Sequence, residues 1–332
     1  MILSGDIGGT KTKLALYEGK EDGIKLYYQK EFPSRKYSSF LELLEEFKQL
    51  APSFKIKVLT LGIAGPIIEQ RCRTTNLPWD ISSNDLKKYF NIEKVKLLND
   101  LEATAYGMLY LKDDQFYDLN PNARAIKGNI AVIAAGTGLG EAILFWDGNS
   151  FSPIGTEGGH SDFAPITTQQ DQLLTWLRKR YLGHVSFERV ASGMGIYTIY
   201  EFLLETGFAN APELMVNIGD KDDKSAMISR CALELNDPLC LETLKLFAEI
   251  YASEAGNLAL KSFSLGGVYI GGGIAPKILP IIKSEYFLNA FFSKGRFEEL
   301  LRMMPLRVSL NQDTALLGAT RYAYDKLIKG GN

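Results

Sequence analysis

Two glycine-rich turns in this sequence carry the residue types that bind a polyphosphate. Near the start, an apolar run ends in Asp6-Ile7-Gly8-Gly9-Thr10-Lys11-Thr12. About one domain-length later, Ile130-Ala131-Val132-Ile133-Ala134-Ala135 leads into Gly136-Thr137-Gly138-Leu139-Gly140. Each turn is followed by a further apolar stretch, Leu14-Ala15-Leu16-Tyr17 and Ala142-Ile143-Leu144-Phe145-Trp146. Glycines let backbone N–H groups approach an anion with no Cβ in the way, and the threonine hydroxyls add donors. The first turn is not a Walker loop. Thr10 stands where that motif needs its second Gly, and a strand follows where the motif needs a helix. A carboxylate beside a phosphate site repels it unless a cation stands between them. Asp6 is therefore a candidate Mg²⁺ ligand, directly or through water. Either turn alone reads as a hairpin loop. Two in register, one with an acid, point to two related lobes gripping one polyphosphate.

A second group of residues has the chemistry of hydroxyl recognition. Asn99-Asp100 follows an apolar strand and precedes a helix, the place where ligands collect in α/β sheets. Asp100 could accept a proton from a substrate hydroxyl. It could also simply cap that helix, and the two roles are compatible. Glu157-Gly158-Gly159-His160 reads as a turn presenting a carboxylate and an imidazole to one small ligand. Of the chain's two histidines, His184 has no comparable context and reads as structural. Glu188, next to Arg189, reads from spacing alone as solvated or ion-paired. Gly271-Gly272-Gly273 follows a strand, and Pro276 suits the start of a helix. Backbone exposed there could lie against a flat base and ribose, although the G-x-G-x-x-G fingerprint is missing.

These residues need a scaffold, and 332 residues suffice for two lobes of ordinary size. At 46% hydrophobic and 23% charged, the composition is that of a globular protein. The net charge of −2 gives no nucleic-acid footprint and no attraction to an anionic membrane. No apolar run approaches the roughly 18 residues of a membrane span, and the N-terminus has no signal-peptide pattern. Three scattered cysteines, Cys72, Cys231 and Cys240, point to reduced thiols in a cytoplasmic protein, with neither a disulfide framework nor a metal cluster.

Strands at 58–63 and 95–98 alternate with helices at 38–50 and 101–111, as in a mixed sheet flanked by helices. The polar stretch 112–128 reads as a boundary. Helical patterns follow at 169–181, 193–205, 225–235 and 239–261, with a loop-rich segment at 206–224. A final helix at 313–329 is expected to return to the first lobe. The expected division is a small α/β lobe, 1–111 with 310–332, and a large one, 112–309.

Taken together, these segments resemble the bacterial glucokinase family, within the sugar-kinase, Hsp70 and actin superfamily. The resemblance rests on the turns above and on Leu61-Gly62-Ile63-Ala64-Gly65-Pro66, Thr75-Asn76-Leu77-Pro78-Trp79, Leu98-Asn99-Asp100-Leu101-Glu102-Ala103, Gly256-Asn257-Leu258 and Asp313-Thr314-Ala315-Leu316. It implies a two-lobed α/β, ribonuclease-H-like fold with an active-site cleft between the lobes. It also implies transfer of the ATP γ-phosphoryl group to the 6-hydroxyl of glucose with Mg²⁺, closure of the lobes excluding the water that otherwise competes as acceptor.

 The residue matching Asp100 is the base, and those matching Asn99, Gly65, Glu157, His160 and Glu188 hold the sugar. Segments matching Gly8, Gly9, Thr10 and Lys11, with Gly136, Thr137 and Gly138, take the phosphates of ATP, and Gly271, Gly272 and Gly273 take its adenosine. A homodimer is the implied assembly. Related ROK-type kinases carry a zinc-binding Cys cluster after Glu-x-Gly-His, and 161–190 contains no Cys, which implies the zinc-free branch. Glu141 is out of pattern, since a small apolar residue is expected directly after the second phosphate turn. Its charge would weaken nucleotide binding unless it points away. A non-catalytic sugar sensor on the same fold would tolerate loss of the base, yet Asp100 is present. A phosphotransferase needing only the phosphate loops would not need Glu157, His160 and Glu188.

Overall fold

Continuous apolar runs become buried central strands here, and the two glycine turns close antiparallel hairpins. The computed structural model describes residues 1–20, 23–74, 76–219 and 222–330. Thr75, and two residues of the 206–224 segment, lie outside the described residues. The chain divides into two units, one of Met1–Gln115, Phe151–Gly155 and Asn311–Asn332, the other of Phe116–Ser150 and Thr156–Leu310. The first unit thus runs a few residues past 111 and takes in a segment from the middle of the chain.

In the first unit, β1 (Ile2–Ile7), β2 (Lys11–Lys20), β3 (Gly23–Pro33), β4 (Val58–Ile63) and β7 (Lys94–Asn99) form a sheet ordered β3-β2-β1-β4-β7. β1 and β2 pair antiparallel, while β1, β4 and β7 run parallel. A small hairpin of β5 (Arg71–Arg73) and β6 (Asp80–Ser82) stands apart. Every residue of β4 is buried, as expected for a strand covered on both faces. One face packs on α1 (Phe40–Leu50), where Phe40, Leu43, Leu44 and Phe47 join Leu3, Leu14, Leu59 and Trp79 in a single core. α2 (Ser83–Phe90) follows β6.

α3 (Asp100–Met108) and α12 (Thr314–Tyr322) cross on glycines. A Cβ on Gly318 would lie 1.7 Å from the Ala103 carbonyl oxygen, and one on Gly107 would lie 2.0 Å from that of Thr314. Backbone cannot yield as a flexible side chain can, so a methyl group at either position must push the helices apart. Gly318→Ala is expected to destabilise the protein by about 1–3 kcal/mol or more, read as a lower urea midpoint. An unchanged midpoint would show that the crossing is loose.

The second unit repeats the opening of the first. β9 (Ile130–Ala135) and β10 (Leu139–Trp146) form an antiparallel hairpin, and β12 (Gly267–Gly271) joins β9 in parallel. β13 (Leu306–Ser309) and β8 (Phe116–Asp118) extend the sheet. Most of β11 (Phe151–Thr156) groups with the first unit, where Gly155 N–H donates to Glu102 Oε1 at 3.3 Å. α4 (Thr168–Arg180), α5 (Gly193–Glu205), α6 (Glu213–Val216), α7 (Lys224–Leu235) and α8 (Pro238–Lys261) follow, with α6 giving the 206–224 segment a short helix. α8, started by the Asp237 cap and Pro238, is buried on most sides and forms the middle of this core. The unit ends with α9 (Leu279–Ile282), α10 (Glu285–Phe292) and α11 (Glu298–Met303). Among the described residues, no helix is long and apolar enough to cross a membrane.

Candidate functional site

The first turn is held from several sides. Gly8 N–H donates to the Lys11 carbonyl at 3.0 Å, and Ser34 Oγ donates to the Gly8 carbonyl at 2.7 Å. Ser34 N–H reaches the Thr10 carbonyl at 2.9 Å, and Gly9 packs against the Asn76 side chain. Thr10 and Lys11 stand in solvent, Lys11 in an exposed ion pair with Glu31 at 2.7 Å. Such pairs contribute little, so Lys11 is easily redirected.

Asp6 lies across the hairpin from Lys13, and the Lys13 ammonium is bonded to Asp313 Oδ1 at 2.5 Å. Burial raises the Asp6 carboxyl to about 6, against the pull of Lys13 and with a push from Asp313. Lys13 is itself raised, chiefly by its bond to Asp313. Asp313 lies 300 positions from Lys13, and nothing local in the sequence links the two.

Asn99, and not Asp100, caps α3. Its Oδ1 accepts from Leu101 N–H at 2.9 Å, and Glu102 Oε2 returns the favour to Asn99 N–H at 2.8 Å, a capping box. Asn99 Nδ2 donates to the Gly65 carbonyl at 3.1 Å. Gly65 has φ of +150°, and a Cβ there would meet Cys72 Sγ at 3.1 Å. Asp100 begins the helix with Oδ1 accepting from Leu101 N–H at 3.0 Å. Burial, and then the nearby charge of Asp100, push the Cys72 thiol up to about 11. The cap being supplied by Asn99, the Asp100 carboxylate stands where the helix N-terminus favours its charge.

In the second unit, the turn closes with Gly136 N–H donating to the Gly138 carbonyl at 2.9 Å, and Gly193 N–H donates to the Gly136 carbonyl at 2.8 Å. Glu188 is not paired with Arg189, whose guanidinium lies over the Tyr181 ring. Instead, Glu188 Oε2 accepts from Leu139 N–H at 3.0 Å, directly after the turn, and Oε1 lies 4.0 Å from His160 Nδ1. A Cβ on Gly138 would fall 2.4 Å from the same carboxylate, so any side chain there must displace Glu188. The turn at Glu157-Gly158-Gly159-His160 is one turn of 3₁₀ helix, with Glu157 and His160 exposed. His184 has more than the generic structural part first given to it. Its Nε2 bonds the His160 carbonyl at 2.8 Å, and its Nδ1 lies 2.9 Å from Asp162 Oδ1. No sequence spacing signals that contact across 24 residues.

A cavity of about 890 Å³ opens beside this turn, lined among others by Gly136, Thr137, Gly193, Lys224, Gly273 and Ile274. Its size suits a nucleotide-sized molecule. Of the three late glycines, only Gly273 lines it. Gly271 ends β12, and Gly272, with φ of +80°, passes so close to the Ala135 carbonyl that a Cβ would lie 2.3 Å away. Pro276 stands in a turn before α9 and does not begin a helix. Glu141 is 2% exposed, is not among the cavity's lining residues, and burial, then Glu254, raise its carboxyl to about 8. Burial thus favours its uncharged form, and it stands away from the cavity lining.

The glucokinase family profile matches residues 3–326. The glucokinase of Nostoc punctiforme is 38% identical, over 96% of this chain and 97% of that protein. The glucokinase of a Synechocystis species is 37% identical, over 96% of each. Among solved structures, a glucokinase from an Antarctic psychrotroph superposes with a TM-score of 0.84 at 31% identity, covering 98% of both chains. A ROK family glucokinase from Streptomyces griseus, solved with glucose and AMPPNP, shares the two-lobed α/β sugar-kinase fold at a TM-score of 0.65, 18% identity, 98% of this chain and 99% of that one.

Proposed function

The chain belongs to the glucokinase family of ATP-dependent sugar kinases, and we propose that it transfers the γ-phosphoryl group of ATP to the 6-hydroxyl of D-glucose. The observation that carries this reading is the Glu188 carboxylate, which accepts from Leu139 N–H where the chain leaves the second phosphate turn and lies 4.0 Å from His160. Hydroxyl-binding groups are thereby referenced to a phosphate-binding loop. Asp100 accepts the proton of the 6-hydroxyl as it attacks, while Asn99, Gly65, Glu157, His160 and Glu188 fix the sugar. Phosphoryl transfer needs positioning and charge neutralisation more than covalent help.

ATP fits the cavity at Gly136, Thr137 and Gly273, where a side chain on the neighbouring Gly138 would collide with Glu188. Asp6, at the mouth of the first turn, suits a hard divalent cation, and Mg²⁺ would neutralise phosphate charge there. Turnover is expected to vanish in EDTA, to return with Mg²⁺, and to need no zinc. Stoichiometric zinc in the purified protein would contradict this. A coupled assay across hexoses and phosphate donors tests the whole reading. Glucose with ATP should give the highest kcat/KM, and a better hexose or donor would overturn it.

A further inference from the structure

We propose that Glu141 is a positioning residue that registers the turn carrying Glu157 and His160 on the strand leaving the second phosphate turn. This rests on the sugar-binding reading above and deepens it. The turn is packed on Leu139 and Glu141 of β10. A Cβ on Gly158 would lie 2.0 Å from Glu141 Oε2, and one on Gly159 would lie 2.0 Å from the Leu139 carbonyl oxygen. Gly158 N–H donates to Thr156 Oγ1 at 3.1 Å, and that hydroxyl donates to the Glu141 carbonyl at 3.1 Å. Leu139 N–H in turn holds Glu188. Gly159 is thus demanded by the strand backbone beneath, and the Glu141 carboxyl is the surface on which Gly158 rests.

The carboxyl does this as the uncharged acid. Its Oε1 is buried with no hydrogen-bond partner among the described residues, a place where an anion would be costly. Among the described residues, the charged and titratable groups acting on it are Glu254 and Lys261 of α8, with Tyr251 of the same helix coupled to it, and the turn packed on it carries Glu157 and His160. Glu254 is fully buried and already engaged by Lys261 at 3.3 Å and Asn257 at 2.8 Å, so Lys261 does not serve Glu141 alone. Ionising Glu141 as pH rises past about 8 sets a negative charge against Glu254 and beneath Gly158.

Glu141→Gln keeps an uncharged planar group of the same length. It is expected to match the wild type in KM for glucose near pH 7, whereas Glu141→Ala raises that KM roughly tenfold with KM for ATP unchanged. Between about pH 7 and pH 9 the wild-type KM for glucose should rise at least about fivefold, and that of the Gln variant should stay level. The chain has only two histidines, so a proton NMR titration reads the turn without any assay, the His160 ring signal being the one lost in His160→Gln. That signal should show an inflection near pH 8 in the wild type and none in Glu141→Gln. Identical His160 titrations in the two proteins, or the same alkaline rise in KM, would overturn the proposal. So would a wild type with no inflection, whether or not the Gln variant folds. An inflection in a protein that does not phosphorylate glucose would uphold the positioning role and sink the sugar reaction instead.

Discussion

Asp100→Ala is expected to lower kcat by roughly 10²–10⁴-fold while leaving glucose affinity within about tenfold. The substitution removes a proton acceptor without removing the start of α3, because Asn99 and Glu102 supply the capping box. Helix formation, and with it the crossing against α12, should survive. The loss therefore falls on the transition state, not on folding. Asp100→Asn, which keeps shape and hydrogen-bonding capacity, should lose as much. Single-turnover rates with direct glucose-binding measurements separate the two effects. A variant retaining more than about 5% of wild-type kcat would remove Asp100 from the role of base.

Sugar choice should show the second large effect. Galactose inverts one hydroxyl and fructose changes the ring, so each leaves protein groups without partners. An unpaired buried group costs about 1–3 kcal/mol, and two such losses in the middle of that range, about 4 kcal/mol, amount to nearly a thousandfold in kcat/KM. Glucose should therefore be preferred over both by at least about a hundredfold. His160→Ala should lower kcat/KM for glucose and narrow the gap to the epimer whose hydroxyl His160 reads. Comparable wild-type values for the three sugars would refute the proposed pocket even if the protein is a kinase.

The segments that a local pattern governs were legible. Helix α5 falls on residues 193–205 as the periodicity requires, and the largely apolar run at 58–63 is the fully buried β4. Both glycine turns close antiparallel hairpins. What could not be read depends on partners brought together by the fold. Lys13 meets Asp313 across 300 positions, and His184 meets the carbonyl of His160. Glu188 has an adjacent arginine that offers the obvious pairing, yet its actual donor is a backbone amide 49 residues away. The cap of α3 was misassigned by one residue, because Asn and Asp cap equally well and only geometry separates them. Glu141 was read as a charge, and burial makes it an acid.

The glycine crossing of α3 and α12 also bears on how the molecule is made. Translation reaches the end of the first unit's leading segment at Gln115, but α12 follows only after roughly 200 further residues. At about 5–20 residues per second that is a delay of roughly 10–40 s. Through that interval the nascent first unit has its sheet strands but lacks the helix that covers α3. The second unit waits as well, because β13 of its sheet is made only just before α12, so neither core closes until the chain is nearly finished. The usual order, in which the N-terminal unit matures first during synthesis, is thus lost. Ribosome-bound chains arrested near residue 300 should expose Gly107 and the rest of that α3 face to protease until elongation adds α12.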